Sequence, residues 1–236
     1  EKPNIAVVMT GGTIVSRIDP KTGGPSPLTT SEDLFKFYPE IFDKVNVYAV
    51  IVPFTKASES MNFSDWKKIG KVVCDLVNDI NIQGVIVTHG TDTLHYTSAV
   101  LSFMLRNLNK PVVLTYSQRS SDRASSDANL NLKCAALVAS SNIAEVVLVG
   151  HATTNDDSCF VLRGTKVRKM HSSRRDTFRA INSEPIANVY ENKIEILNPF
   201  NAKREKFQKC VFDGKFLDKV ALIKFYPGQD PSILDY

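Results

Sequence analysis

The sequence predicts an α/β domain built on a mostly parallel sheet with helices on both faces, and three observations carry that prediction. Short β-branched runs recur along the first 150 residues, segments with apolar residues at helical spacing separate the later runs, and the runs end in polar loops, two of which hold glycine. Continuous apolar runs read as strands buried on both faces, and alternation of strand and helix is the pattern of a parallel sheet.

The strands expected in order are residues 5–9, 45–52, 84–88, 111–115 and 146–149. Helices are expected at 64–78, 92–105 and 126–140, where Ile69, Val72, Val73, Leu76 and Val77 illustrate the spacing. Ser64, Asp92 and Ser126 are the expected N-caps, since short polar side chains there accept from free helix N–H groups. Residues 19–27, with three prolines and two glycines, predict a mobile surface loop. After about residue 150 the pattern changes to a β-hairpin-rich stretch with short strands at 158–162, 164–167, 186–190 and 193–197, the last two joined by a turn at Glu191 and Asn192. A further strand is expected at 220–225. The division expected is a catalytic domain over 1–215, with 216–236 as linker and first strand of a second domain.

Apolar residues make 43% of the 236 and charged residues 23%, a globular balance that excludes disordered and fibrous classes. No window approaches the ~20 uninterrupted apolar residues of a membrane span. The first ten residues lack the basic-then-apolar build of a signal peptide, so a cytoplasmic protein with no membrane association is expected. Cys74, Cys134, Cys159 and Cys210 form no C-x-x-C pair, and His89, His95, His151 and His171 show no H-E-x-x-H spacing, so reduced thiols and no catalytic metal are expected. A net charge of +4 is too mild to announce a nucleic-acid binder.

In an open parallel sheet, ligands bind beyond the carboxyl ends of the strands. Three hydroxyl-rich loops fall there: Thr10-Gly11-Gly12-Thr13, His89-Gly90-Thr91-Asp92-Thr93, and residues 116–123, which run Tyr-Ser-Gln-Arg-Ser-Ser-Asp-Arg. Glycine lets backbone N–H groups approach a ligand, and a threonine hydroxyl becomes a nucleophile when a base is beside it. A plain tight turn is the alternative for the first loop and an ordinary Asp N-cap for the second. A phosphate loop is disfavoured, because no G-K-[ST] follows.

The T-G-G-T-I of residues 10–14, the H-G-T-D-T of 89–93 and the Q-R-S-S-D-R of 118–123 resemble the asparaginase/glutaminase family of amidohydrolases, over roughly residues 5–228. The resemblance is finest toward the D-type amidase subunits of archaeal glutamyl-tRNA(Gln) amidotransferases. Ser58-Glu59-Ser60-Met61, residues 118–127 and residues 163–176 carry that finer likeness. It implies Thr13 as nucleophile with Thr91, Asp92 and Lys169 as the accompanying catalytic set. A base must take the threonine proton, and Lys169 is the amine in a matched motif; a neighbouring cation such as Arg168 or burial would favour its neutral form. Asp92 would orient the relay, and the Thr91 N–H would face the developing oxyanion. The same resemblance implies Ser58 and Glu59 as grips on the substrate α-carboxylate and α-ammonium, with Gly90 and Ser117 lining the substrate.

Three functions follow as alternatives. The first is an amidase releasing ammonia from glutamine or asparagine for amidation of Glu-tRNA(Gln). It implies no cofactor in this chain, ATP and magnesium in an E-type partner subunit, and a homodimer core. The second is a free-standing L-asparaginase. The third is a silent RNA-binding scaffold using the basic run 163–179, where Arg174 and Arg175 are candidate tRNA contacts and a solvated face is the plainer reading. The family's tyrosine in the loop after the first threonine motif is missing, since none occurs between Thr13 and Tyr38. A nucleophile weakly activated until the 19–27 loop is positioned by a partner or substrate is therefore expected. The family's second domain, and the small extra domain that the amidotransferase amidases carry before the first motif, are also not in this sequence.

Overall fold

A computed structural model of the chain describes residues 1–190, 192–203 and 208–235. In chain order it forms β1 (Asn4–Met9), β2 (Ser16–Ile18), β3 (Pro25–Pro27), α1 (Ser31–Phe37), α2 (Ile41–Lys44), β4 (Asn46–Ile51), α3 (Phe63–Asn78), β5 (Gly84–Thr88), α4 (Leu94–Met104), β6 (Leu105–Arg106) and β7 (Val112–Thr115). There follow α5 (Ala128–Ala139), β8 (Val146–His151), β9 (Cys159–Arg163), β10 (Val167–Lys169), β11 (Phe178–Ala180), β12 (Ala187–Tyr190), β13 (Lys193–Ile196) and β14 (Val211–Phe212). Short 3-10 turns lie at Thr13–Val15, Ser58–Ser60 and Pro231–Leu234.

The central sheet runs β13-β12-β9-β8-β7-β5-β1-β4. Its pairs from β8 to β4 are parallel, and β9, β12 and β13 continue it antiparallel. This is the mixed α/β architecture the alternation of elements predicts. Strand period two sorts β1 between two cores: Ile5, Val7 and Met9 join Leu34, Ile41, Leu132 and Ala135, whereas Ala6 and Val8 join Ile69, Val73, Leu94 and Leu101. Each fully buried aliphatic side chain contributes about 1.5–3 kcal/mol, so both helical layers are held mainly by these faces. β5 is buried at every position, as a central parallel strand must be.

The two layers also locate the site. The helices following β1 and β7 pack on one face, and α4 following β5 packs on the other. The loops leaving the adjacent strands β1 and β5 therefore part toward opposite faces, opening a crevice at the carboxyl ends of the strands.

Several local expectations are corrected. Helix α3 is capped by Asn62 rather than Ser64, through a capping box with Asp65. Lys56 pairs with that carboxylate at 2.8 Å. Burial opposes it, but the Lys56 ammonium and the Asn62 N–H hold Asp65 below the usual carboxylate range. Asp92 is no cap, since α4 begins after Thr93, and α5 begins after Asp127 rather than Ser126. The Asp92 carboxylate binds Lys169 instead of the helix, whereas Ser126, one residue ahead of the cap position, still accepts from the Ala128 N–H at 3.2 Å.

Residues 19–24 form the largely exposed surface turn of a β-hairpin, and only residues 25–27 depart from the loop expected there, pairing as a strand with Arg17 opposite Ser26 and Ile18 opposite Pro25. Residues 164–166 turn instead of extending, because the Lys166 N–H bonds Arg163 O, and the strand starts at Val167. Tyr190 stands opposite Lys193, the register of a two-residue connection, although Glu191 lies outside the described residues. Residues 220–225 form no strand, and Val220, Leu222 and Phe225 are exposed, as a run without a neighbouring edge must leave them.

Candidate active site

The loop after β1 is held by backbone. The Thr10 hydroxyl donates to Thr88 O at 2.8 Å, and the Lys56 N–H donates to Thr10 O at 3.0 Å. Gly12 has φ 89°, and a Cβ there would stand 2.6 Å from Gly90 N, so only glycine lets the two threonine motifs lie backbone to backbone. Thr13 then opens a 3-10 turn stapled by Ser16 Oγ on Gly12 O and by Tyr38 Oη on Ile14 O, 2.6 Å. Tyr38 is thus a residue the sequence reading missed. It supports the turn and does not touch the Thr13 hydroxyl, and burial raises its phenol well above the ordinary value. The Thr13 hydroxyl makes no hydrogen bond among the described residues, and Thr13 lines a cavity of about 550 Å³ with Gly12, Ser16, Arg17, Lys56 and Ser120.

Across the crevice, Lys169 at the end of β10 places Nζ 2.8 Å from Thr91 Oγ1 and 2.8 Å from Asp92 Oδ1. The Lys169 side chain is 12% exposed and that of Asp92 is 59% exposed, so the amine sits inside and the carboxylate closes it from solvent. Strand β11 fixes this placement by pairing Phe178 opposite Lys169. Beneath the loop runs a polar chain: Trp66 Nε1 donates to Thr97 Oγ1 at 2.9 Å, the Thr97 hydroxyl bonds His89 Nε2 at 2.7 Å, and His89 Nδ1 donates to Gly90 O at 2.7 Å. A carbonyl can only accept, so the tautomer follows from the partners.

Burial pushes the His89 imidazole from 6.5 down to about 4. Above pH 6.5 both folded and unfolded states hold it neutral. As the pH falls from about 6.5 to about 4, the unfolded chain takes a proton that the folded one refuses, and stability is lost, by about 3 kcal/mol in all. Urea midpoints measured across that window are expected to fall less steeply in His89→Gln than in the parent; parallel curves would overturn the assignment.

Of the residues expected to hold substrate, Ser58 is buried against the same loop, its carbonyl accepting from Thr93 Oγ1 at 2.8 Å. A Cβ on Gly90 would stand 2.9 Å from Ser58 Oγ, so the two are in contact. Glu59 is exposed, with no hydrogen bond or ion pair among the described residues. Ser117 is buried and directs its hydroxyl to Arg119 O at 2.8 Å, which leaves its backbone as the part able to meet a ligand. The structure thus joins Lys169, Thr91 and Asp92 directly and sets Ser58 and Gly90 beside them. Thr13 comes near through Gly12 and shares no hydrogen bond with the set. Asp127, whose carboxylate receives the Gln118 and Arg119 N–H groups at 2.9–3.1 Å, was missed because its role is set nine residues away in sequence.

Five of the seven basic side chains of the run 163–179 are paired with carboxylates, while Lys166 and Arg168 are exposed and make no ion pair among the described residues. Arg163 binds Glu145, Arg174 and Arg179 bind Asp176, Arg175 binds Asp156, and Lys169 binds Asp92. Most of the run's charge is thus met within the fold, with Asp176 shared between two arginines, which counts against reading the whole run as an open phosphate-facing patch. Among the described residues no group of three or more His, Cys, Asp or Glu could hold a metal ion, and no helix is long and apolar enough to cross a membrane. All four cysteines are free and buried, and burial pushes the Cys210 thiol up to about 12.

Fold and site together define an open α/β domain carrying a hydroxyl, amine and carboxylate cluster at a strand switch point. The chain belongs to the asparaginase family: the model described as asparaginase, N-terminal, matches residues 4–201. It is 51% identical over 235 residues to the D subunit of the glutamyl-tRNA(Gln) amidotransferase of Thermococcus kodakarensis, covering 99% of this chain and 53% of that protein. The corresponding D subunit of Pyrococcus furiosus is 49% identical over 237 residues, covering 100% and 53%. Among solved structures, the thermostable L-asparaginase from Thermococcus kodakarensis superposes with a TM-score of 0.80 at 30% identity, over 98% of this chain and 66% of that one. The chain spans about half the length of the curated relatives it matches.

Proposed function

We propose that this chain is the amidase portion of a glutamyl-tRNA(Gln) amidotransferase. It releases ammonia from glutamine, or less efficiently from asparagine, for an E-type partner that amidates Glu-tRNA(Gln). The observation that carries the reading is Lys169 bonded to both Thr91 and Asp92 at the switch-point crevice, in a chain about half identical to amidotransferase D subunits along nearly its whole length.

In this reading Ser58 and Glu59 hold the substrate's α-carboxylate and α-ammonium, the latter by opposite charge. Thr13 Oγ1 attacks the amide carbon while its proton passes toward Lys169 by way of Thr91, and Asp92 keeps the ammonium so formed in place. The Thr91 N–H faces the oxyanion. The C–N bond breaks as a proton returns to the leaving nitrogen, giving ammonia and a threonyl ester. Water then adds to the ester carbon and frees Thr13 and the acid. No cofactor acts in this chain; ATP and magnesium serve the partner in activating the tRNA-borne carboxylate. The protein works in the cytoplasm around a homodimer core.

The test is ammonia release from glutamine and from asparagine by the protein as its gene encodes it, alone and then with partner and glutamyl-tRNA. Glutamine-dependent release that rises sharply on adding both supports the amidotransferase. Brisk asparagine hydrolysis by the protein alone would replace that reading with the free-standing L-asparaginase that the structural neighbour suggests.

A further inference from the structure

Gln118 lies in the third motif, and nothing so far gives its side chain a task. Its main-chain N–H is held by the buried Asp127 carboxylate at 2.9 and 3.1 Å. At the other end, Nε2 donates to Arg174 O at 3.1 Å and to Ser172 O at 3.3 Å, while Oε1 lies 3.1 Å from Thr91 Oγ1. Two backbone carbonyls can only accept, so the amide nitrogen must face them and the amide oxygen must face Thr91. Thr91 is therefore the donor to Gln118. Its oxygen is meanwhile an acceptor from Lys169 Nζ at 2.8 Å.

A hydroxyl has one proton. While it points at Gln118 it cannot be passed to Lys169, and Lys169 stands as donor rather than base. The relay in the proposed mechanism needs Lys169 first to give a proton to solvent and stand as the neutral amine, and then the Thr91 proton to turn from Gln118 Oε1 to Lys169 Nζ as Thr91 Oγ1 receives the proton of the attacking hydroxyl. We infer that Gln118 is a positioning residue that holds the Thr91 proton away from Lys169, so that it sets the pH at which the relay engages and ties that setting to the 171–175 turn. This rests on the amidase reading above and deepens it.

The turn is itself anchored: Tyr116 Oη donates to Arg175 O at 2.8 Å, and Tyr116 can lie there because a Cβ on Gly150 would come within 2.3 Å of its ring. The charged and titratable groups around the pair are Asp92 on Lys169, Arg168 beside it on β10, His95 from α4, Asp127 under the Gln118 backbone and Arg174 paired to Asp176. His171 stands in the turn itself, its Nδ1 accepting from the Ser173 and Arg174 N–H groups, and a change at Gln118 touches none of these side chains but does release the Nε2 bonds to Ser172 O and Arg174 O.

The test is the pH dependence of kcat for ammonia release from glutamine, measured on the protein as its gene encodes it, with partner and glutamyl-tRNA. Gln118→Met keeps the length and removes the acceptor together with the Nε2 bonds to Ser172 O and Arg174 O, so the acid limb of the profile is expected to move to lower pH. Gln118→Glu gives up the same Nε2 bonds to Ser172 O and Arg174 O as the methionine variant but keeps an acceptor toward Thr91, strengthens it with charge and adds a negative group near Lys169, so the limb is expected to move to higher pH. A shift of about one pH unit in each direction is a roughly tenfold change in rate at a fixed pH on the limb. Thermal midpoints qualify each variant as folded, and Gln118→Leu replaces the methionine variant if that one melts early. Lower kcat at every pH with an unmoved limb in both variants would make Gln118 structural and overturn the inference alone. A parent that releases no ammonia from glutamine or asparagine at any pH would overturn the amidase reading and this inference with it.

Discussion

Thr13→Ala is expected to remove ammonia release from glutamine and asparagine almost entirely, with kcat lower by on the order of 10³-fold or more. The same substitution should leave the thermal midpoint nearly unchanged. The structure gives the reason for both halves. Thr13 lines a cavity and its hydroxyl makes no hydrogen bond among the described residues, so its loss unties no hydrogen bond, whereas a side chain at Gly12 would disturb the approach to Gly90. Changes away from packed or bonded positions usually alter stability by no more than about 0.5 kcal/mol. Thr13→Ser keeps the hydroxyl and should keep measurable turnover. Parental ammonia release by the folded alanine protein would move the nucleophile elsewhere.

Lys169 carries the second large effect. Lys169→Ala is expected to lower kcat by on the order of 10²–10⁴, the usual contribution of a positioned acid or base, with KM changed far less. Lys169→Arg separates two reasons for the loss. It keeps a cation beside Asp92 but offers a guanidinium that does not give up its proton near neutral pH, so it should be nearly as inactive as alanine. An arginine protein with parental kcat would reduce Lys169 to a counter-charge for Asp92. The ion pair itself adds little stability, because the Asp92 side chain is 59% exposed and water screens it.

The fold was legible where side-chain chemistry repeats locally. The apolar runs at 5–9, 84–88 and 146–149 are strands because each alternate residue finds a helical layer to bury against. The helix starts were less legible. Ser64 loses the cap to Asn62, which can build a reciprocal pair with Asp65, and Asp92 loses it because a lysine 77 positions away takes its carboxylate. Residues 220–225 have strand composition, but composition does not provide an edge to pair with.

In the candidate site the motifs named Thr13, Thr91, Asp92 and Lys169, and chemistry alone could say which would be hydroxyl, amine and carboxylate. It could not say that Tyr38 would brace the Thr13 turn from the end of α1, nor that Gln118 would compete for the Thr91 proton. Nor could it say that four arginines of the basic run would be taken up by Glu145, Asp156 and Asp176. By itself, then, the sequence determined the layer architecture, the family and the kinds of group available, because burial period and residue chemistry are local properties. The tertiary structure decided which groups meet, which proton faces which oxygen and which charges remain free, because each of those depends on distances of about 3 Å between residues tens of positions apart, set by the packing of whole elements.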